Sequence, residues 1–217
     1  MTKKIASIQD LLAPISKKEF FDMRFGVKPI HIRGSATKFK SLMNWDILTE
    51  FVKRVEFWNP SNFRLIKNGE TFPPHVYCKQ TREGDLGTSM RPVWDSVQHH
   101  LSSGATLALY FIQSLSSELR DLTQLMETEF RGRAQFNLYC SWEGGKGLLP
   151  HFDTHDVFAI HLEGKKKWFV YDKPIEKPIA HGAFLGAARE KMDKQPRKPI
   201  LECIMEPGDL LYIPRGF

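Results

Sequence analysis

Apolar and polar residues follow a helical spacing in the first half of the chain and alternate in much of the second half. Apolar positions recur every three or four residues from Trp45 to Val55 and from Ser116 to Phe130, which predicts two amphipathic helices. From residue 134 onward, several runs alternate in the manner of half-buried strands. The predicted fold class is mainly β with flanking helices: a helix-rich N-terminal half packed on an antiparallel β-barrel or jelly roll.

Local signals add shorter elements to this outline. Ser16 and Glu19 have the spacing of a capping box, which predicts the start of a helix. Asn68-Gly69 between two β-forming runs predicts a tight hairpin. Residues 92–101 are expected to form a short helix.

A second hairpin is predicted further along the chain. Val157–Leu162 is an apolar, β-forming run, Glu163-Gly164 is a turn signal, and Lys166–Tyr171 is a second strand. In that second strand Lys166 and Trp168 share one face, because alternate residues of a strand point the same way. Lys166 is therefore a candidate for holding a ligand's carboxylate, and the alternative is an exposed basic turn.

A histidine and an aspartate lie immediately before this hairpin. His151 and Asp153 are two residues apart, so in an extended segment both side chains project from the same face. An imidazole nitrogen and a carboxylate oxygen suit a divalent ion such as Fe(II), and two histidines with one carboxylate leave positions open for substrate and oxygen. The pair is thus a candidate for part of a metal site, although two surface residues would give the same pattern.

The strand that precedes this pair has a polar face. In residues 134–141 the alternation puts Phe136 and Leu138 on one face, and Asn137 and Tyr139 on the other. A polar face beside a metal site either meets solvent or lines a cavity. Only the second arrangement suits the binding of an anionic cosubstrate.

Two segments resemble the JmjC-type, cupin-like Fe(II)- and 2-oxoglutarate-dependent oxygenases, and within them the ribosomal-oxygenase branch. One is His151–Trp168, which begins His-Phe-Asp and ends Leu-Glu-Gly-Lys-Lys-Lys-Trp. The other is Pro207–Gly216, Pro-Gly-Asp-Leu-Leu-Tyr-Ile-Pro-Arg-Gly. The resemblance implies a double-stranded β-helix core over residues 96–217 and an N-terminal, helix-rich flanking region over residues 1–95.

The resemblance also implies roles for particular residues. His151 and Asp153 would bind Fe(II), and Lys166, fifteen residues after that histidine, would bind 2-oxoglutarate. Tyr139, twelve residues before the histidine, would contact the same carboxylate, with Asn137 as a further cofactor-binding candidate. The implied reaction uses O2 and 2-oxoglutarate, releases succinate and carbon dioxide, and hydroxylates a substrate, expected to be a protein side chain such as one of a ribosomal protein.

One feature of the family pattern falls outside the sequence. The second metal histidine is expected at about position 219 by the resemblance, whereas the sequence ends at Phe217. Either a longer form supplies that ligand or the triad stays incomplete. His155 is a nearby alternative, whereas His161, eight residues beyond Asp153, would be roughly 26 Å away along an extended strand.

Composition sets further limits on the class of protein. The chain has 217 residues, of which 41% are hydrophobic and 26% charged, as expected for a globular protein. Its net charge of +6 permits an acidic or nucleoprotein partner. No apolar run predicts a membrane span or a signal peptide, so we expect a cytoplasmic location. The cysteines Cys78, Cys140 and Cys203 have no metal-binding spacing, and the last two are expected to be buried free thiols.

The basic residues are dispersed, and their densest group is expected to lie in a solvated loop. That group consists of Arg189, Lys191, Lys194, Arg197 and Lys198.

Two further functions remain open at this point. A non-catalytic cupin-like binding module would keep the pocket without a working triad. A metal cupin acting on a sugar or a small acid without 2-oxoglutarate would leave Lys166 with no role. The oligomeric state and the primary substrate do not follow from the sequence.

Overall fold

The computed structural model describes residues 4–142, 148–172, 174–194 and 196–217. The helices of this part, α1 to α6 in chain order, are Ile8–Leu12, Lys17–Met23, Trp45–Val52, Trp94–Ser102, Ser117–Phe130 and Gly182–Lys194. The strands, β1 to β11, are Ile30–Ile32, Phe63–Lys67, Glu70–Thr71, Cys78–Arg82, Thr88–Pro92, Thr106–Leu109, Leu138–Ser141, Val157–Ile160, Lys166–Tyr171, Pro199–Met205 and Leu210–Ile213. The predicted class, mainly β with flanking helices, is confirmed.

The chain divides into two compact units. Unit 1 comprises Met1–Asn44 and His151–Phe217, and unit 2 comprises Trp45–Pro150. This division by compactness differs from the expected boundary after residue 95, which stays a prediction of where the core domain begins.

Unit 1 contains two antiparallel sheets. In the first, β11 lies between β1 and β8, and its residues Leu210, Leu211 and Tyr212 are fully shielded from solvent. Phe20 of α2 and Phe158 of β8 each place a ring centroid 4.9 Å from that of Tyr212. This aromatic cluster fixes α2 on the sheet, because large apolar side chains gain most from leaving water.

The second sheet of unit 1 shows that one sequence prediction is wrong. Both strands of the predicted hairpin form, but β8 pairs with β11, and β9 pairs with β10. At the end of β8, the His161 amide donates to the Asp209 carbonyl, and the Gly208 amide donates to the His161 carbonyl. The turn at Gly164 therefore carries the chain from one sheet to the other, instead of folding β9 back onto β8.

The turn before β11 is fixed by a buried aspartate. The Asp209 carboxylate accepts hydrogen bonds from the amides of Gly34 and Glu206, at 3.1 Å each, and lies 2.8 Å from Nε2 of His31. Gly208 has φ +94°, and a Cβ there would lie 1.9 Å from the Ser35 carbonyl oxygen. Only glycine fits this close approach of two backbone segments.

We expect Asp209→Asn to lower stability at neutral pH by about 1–3 kcal/mol, because it weakens hydrogen bonds to a buried charged acceptor. Burial alone would raise the pKa of Asp209, but the hydrogen bonds from Glu206, His31 and Gly34 outweigh burial and lower it. The stabilisation is therefore present above the unfolded carboxyl pKa of about 3.9 and is lost as the pH falls through the folded pKa. In thermal melts from pH 7 to pH 3, the melting temperatures of the parent and the variant should converge as the pH falls. The exposed Asp22→Asn is the control, and a constant difference at every pH would contradict the prediction.

Unit 2 is built on a four-stranded antiparallel sheet in the order β3, β2, β6 and β7. The predicted hairpin is confirmed, with Asn68 and Gly69 both at positive φ between β2 and β3. One face of the sheet is apolar and buried, as at Phe63 and Leu65. The predicted helices at α3, α4 and α5 are also confirmed. A further hairpin, β4 with β5, was not predicted.

Three other details complete the comparison with the sequence. The predicted cap is confirmed, since Ser16 Oγ accepts from the Glu19 amide at 3.0 Å. The basic side chains Arg189, Lys191 and Lys194 are exposed as predicted, but the loop predicted there is wrong, because they lie in helix α6, which buries Ala188 and Met192. The three cysteines are present as thiols, and Cys140 and Cys203 are half-buried instead of buried.

Within the residues described, none of the helices has both the length and the apolar character needed to cross a bilayer.

Candidate metal centre

His151 and Asp153 converge in unit 1, in the irregular segment that leads into β8. Nε2 of His151 lies 3.9 Å from Oδ2 of Asp153, and the side chains are 49% and 40% exposed. Two atoms that each bind one divalent metal ion at about 2.0–2.2 Å are at most about 4.4 Å apart. The observed separation therefore fits a nitrogen and an oxygen on one ion, and the pair is open to solvent.

Backbone contacts hold this segment in place. The Asp153 carbonyl accepts a hydrogen bond from the Gly216 amide at 2.8 Å, and the Gly216 carbonyl accepts one from the Ile175 amide at 2.9 Å. Gly216 has φ +91°, and a Cβ there would lie 2.2 Å from the Ile175 carbonyl oxygen. The residues after β11 thus run beside the metal pair, and a glycine makes this approach sterically allowed.

A second anchor lies just after the pair. The Tyr212 hydroxyl donates to Oδ1 of Asp156 at 2.5 Å and accepts from the Gly26 amide at 2.8 Å. Burial and the hydrogen bond to the Asp156 carboxylate raise the pKa of Tyr212 far above its ordinary value, so the hydroxyl stays protonated and keeps donating. The segment from His151 to β8 is therefore tied at two points, to Tyr212 in β11 and to Gly216 just after that strand.

Lys166 begins β9, opposite Met205 of β10. Its Nζ lies 5.8 Å from the centroid of the Trp168 ring, in the geometry of a cation–π contact. The pKa of His161 is lowered. Burial is the largest cause, the hydrogen bond to Gly164 acts against it, and the positive charge of Lys166 lowers the pKa further. Lys166 therefore lies within electrostatic reach of His161.

The two neighbouring lysines have a different environment. Lys165 pairs with Glu206 at 2.6 Å, and Lys167 pairs with Glu202 at 2.5 Å, with both side chains more than half exposed. Exposed pairs of this kind contribute little to stability. The alternation of β9 thus puts Lys166 on the face of Trp168 and the buried Val170, and Lys167 on the opposite face.

Asn137 and Tyr139 belong to unit 2. Tyr139 lies in β7 opposite Ala108 and is 44% exposed, whereas its neighbour Leu138 is buried, so the predicted alternation of faces is confirmed. Oδ1 of Asn137 accepts from Gln135 at 2.8 Å. The cofactor roles of Asn137 and Tyr139 stay predictions from the resemblance.

No third metal ligand accompanies the pair in the part of the chain that the structure describes. Across these residues, no group of three or more His, Cys, Asp and Glu side chains is arranged to hold an ion. His155, the alternative third ligand, is exposed and joins no such group. The histidine expected at about position 219 remains a prediction.

Comparison with known families adds independent evidence. Residues 110–217 match the family description "JmjC domain". The chain belongs to the JmjC-domain family. The match contains His151, Asp153, Lys166, Tyr139 and Asn137.

Curated JmjC relatives align over most of the chain. It is 27% identical over 212 residues to "Ribosomal oxygenase 1" of Danio rerio, covering 96% of this chain and 36% of the relative. It is 35% identical over 161 residues to the Gallus gallus protein of the same name, covering 70% of this chain and 26% of the relative. "Bifunctional lysine-specific demethylase and histidyl-hydroxylase NO66" of Drosophila grimshawi is 27% identical, covering 95% and 27%. The chain spans between 26% and 36% of the length of these relatives.

Solved structures share the fold. The Escherichia coli protein described as "X-Ray structure of E. coli ycfD" superposes with a TM-score of 0.60 at 20% identity, covering 94% of this chain and 48% of that one. A structure of the same protein, described as a ribosomal oxygenase in complex with cobalt and 2-oxoglutarate, gives a TM-score of 0.57 at 19% identity, covering 94% and 47%. At these identities the likeness establishes the JmjC, cupin-like jelly-roll fold alone.

Proposed function

We propose that the protein is an Fe(II)- and 2-oxoglutarate-dependent oxygenase that hydroxylates a protein side chain. The observation that carries the proposal is the convergence of His151 and Asp153 to 3.9 Å within the segment that matches the JmjC domain. The relatives named as ribosomal oxygenases and histidyl-hydroxylases support a ribosomal protein as the substrate. A cytoplasmic location and a nucleoprotein contact are further parts of the proposal.

The residues present fit the cofactors of such an enzyme. His151 would contribute an imidazole nitrogen and Asp153 a carboxylate oxygen, the donor set that Fe(II) accepts in this class of site. When bound, the iron would supply the activation of O2 that is coupled to decarboxylation of 2-oxoglutarate to succinate. Lys166 would pair its ammonium group with the distal carboxylate of 2-oxoglutarate and so orient the cosubstrate.

The place of Lys166 on β9 supports that role, although its side chain is exposed. Lys166 shares the face of Trp168 and the buried Val170, whereas Lys165 and Lys167 each pair with a glutamate and Lys167 lies over the ring of Phe169 on the opposite face. The aromatic ring of Trp168 favours a nearby cation and restricts the flexible lysine stem. A positioned cation of this kind is what the recognition of a carboxylate requires.

The proposal is tested with the full-length protein, Fe(II) and 2-oxoglutarate labelled at its first carbon, with and without ribosomal extract. We expect labelled carbon dioxide to be released, release to rise with the extract, and a ribosomal protein to gain the mass of one oxygen atom. Conversion of a sugar or a small acid in the absence of 2-oxoglutarate would instead support the metal-cupin alternative. A protein that binds 2-oxoglutarate without any turnover would support the non-catalytic module.

A further inference from the structure

Unit 2 contains an apolar cavity of about 170 Å³ whose wall comes from α3, α4, β6 and β7. The buried part of the wall includes three leucines, Leu48, Leu101 and Leu107. None of the described residues that line the cavity carries a charge. An apolar cavity of about 150 Å³ accepts benzene, so this one has room for a single large apolar side chain.

Three tryptophans line the part of the cavity that is open to solvent. Trp45, Trp94 and Trp142 are 52%, 40% and 48% exposed. The rings of Trp45 and Trp142 have their centroids 6.3 Å apart and their planes inclined at 51°. Large apolar side chains that are exposed together mark interaction sites, and tryptophan is enriched among the residues that dominate binding between proteins. The mouth of the cavity therefore has the composition of a protein-binding site.

The two helices that line the cavity begin with the same dipeptide, Trp-Asp. α3 begins with Trp45 and Asp46, and α4 begins with Trp94 and Asp95. Both aspartates are exposed, and neither forms an ion pair with another residue that the structure describes. A carboxylate in the first turn suits the helix dipole in any case, but here it also places negative charge next to two of the tryptophans. An uncharged cavity with negative neighbours is complementary to an apolar side chain flanked by basic ones.

We propose that this cavity is a docking site for a partner polypeptide, which inserts one large apolar side chain flanked by lysine or arginine residues. The indole rings would pack against the inserted side chain, and their N–H groups would donate hydrogen bonds to backbone carbonyls of the partner. Asp46 and Asp95 would attract the basic flanks, which acts on the rate of association and on the choice of partner. The site lies within unit 2, so the inference does not depend on the metal pair or on the proposed function.

The test measures the fluorescence anisotropy of a labelled peptide, Lys-Lys-Phe-Lys-Lys, titrated with the full-length protein. The peptide should bind saturably. Lys-Lys-Ala-Lys-Lys should bind about 10- to 100-fold more weakly, the factor that corresponds to burial of one large apolar side chain. Glu-Glu-Phe-Glu-Glu should also bind more weakly, and the difference due to the flanks should shrink as the salt concentration rises.

Variants of the cavity separate insertion from adsorption to the surface. Trp45→Ala and Trp142→Ala should each raise the dissociation constant about 10- to 100-fold. Cys140→Leu should weaken binding as well, because it fills the cavity while both indoles remain. Val55→Ala, at an exposed apolar position of unit 2 outside the cavity, is the matched control and should bind as the parent does. Thermal melts check the fold, and if Cys140→Leu does not fold, the exposed Thr49→Leu fills the same cavity.

Several results would overturn the inference. Absence of peptide binding, equal binding of the phenylalanine and alanine peptides, or parent-like binding by the tryptophan variants would each exclude insertion into the cavity. Equal binding of the lysine- and glutamate-flanked peptides would exclude a basic partner. A concentration-dependent dimer that Trp142→Ala dissociates in sedimentation would show that a second copy occupies the cavity instead. Turnover of 2-oxoglutarate is not part of this readout, so either proposal can fail while the other stands.

Discussion

Replacing either His151 or Asp153 with alanine is expected to abolish turnover of 2-oxoglutarate while leaving the protein folded. Each variant removes one ligand atom of a pair whose separation of 3.9 Å fits a single metal ion. Loss of a residue that only hydrogen-bonds a metal ligand lowers metal affinity about 10- to 100-fold, so loss of a ligand itself should lower it more. Stability should change little, because the two side chains are 49% and 40% exposed.

The measurements are Fe(II) titration, release of labelled carbon dioxide and a thermal melt, all on the full-length protein. His155→Ala is the matched control, since this exposed histidine lies two residues beyond Asp153. It should bind iron and turn over as the parent does. Parent-like iron binding in both His151→Ala and Asp153→Ala would refute the metal centre, and a loss in His155→Ala would instead identify His155 as a ligand.

The parts of the fold that the sequence predicts depend on contacts near in the chain. The helix cap at Ser16, the turn at Asn68-Gly69 and the alternation of Leu138 with Tyr139 each involve residues no more than three positions apart. Local conformational preferences are sufficient for such features. Such preferences do not determine which strands pair, because β9 pairs with β10, about thirty residues away and beyond helix α6.

The same distinction applies to the candidate site. His151 and Asp153 are separated by one residue, so their spacing alone brings them together. The place of Lys166 is different, because its position opposite Met205 depends on the register of β9 with β10. The pairing of Lys167 with Glu202 likewise depends on the β9–β10 ladder.

Lys166→Ala is expected to weaken the binding of 2-oxoglutarate far more than Lys165→Ala or Lys167→Ala. Removing a charged hydrogen-bond partner of a carboxylate typically costs about 1.5–3 kcal/mol, or roughly 10- to 100-fold in the dissociation constant. The neighbouring lysines form exposed pairs with Glu206 and Glu202, so their loss should change binding less than about twofold. Calorimetry with 2-oxoglutarate and the Mn(II)-loaded full-length protein measures all three variants side by side.

Lys166→Arg separates the charge from the rest of the side chain in this comparison. It should retain most of the affinity, because a guanidinium group also pairs with a carboxylate and keeps its charge at any working pH. Lys166→Met, of similar length but without charge, should behave like Lys166→Ala and so exclude a role limited to packing against Trp168. Small and equal effects at positions 165, 166 and 167 would mean that all three lysines form a solvated basic turn, and a metal cupin without 2-oxoglutarate would then be the better account of the site.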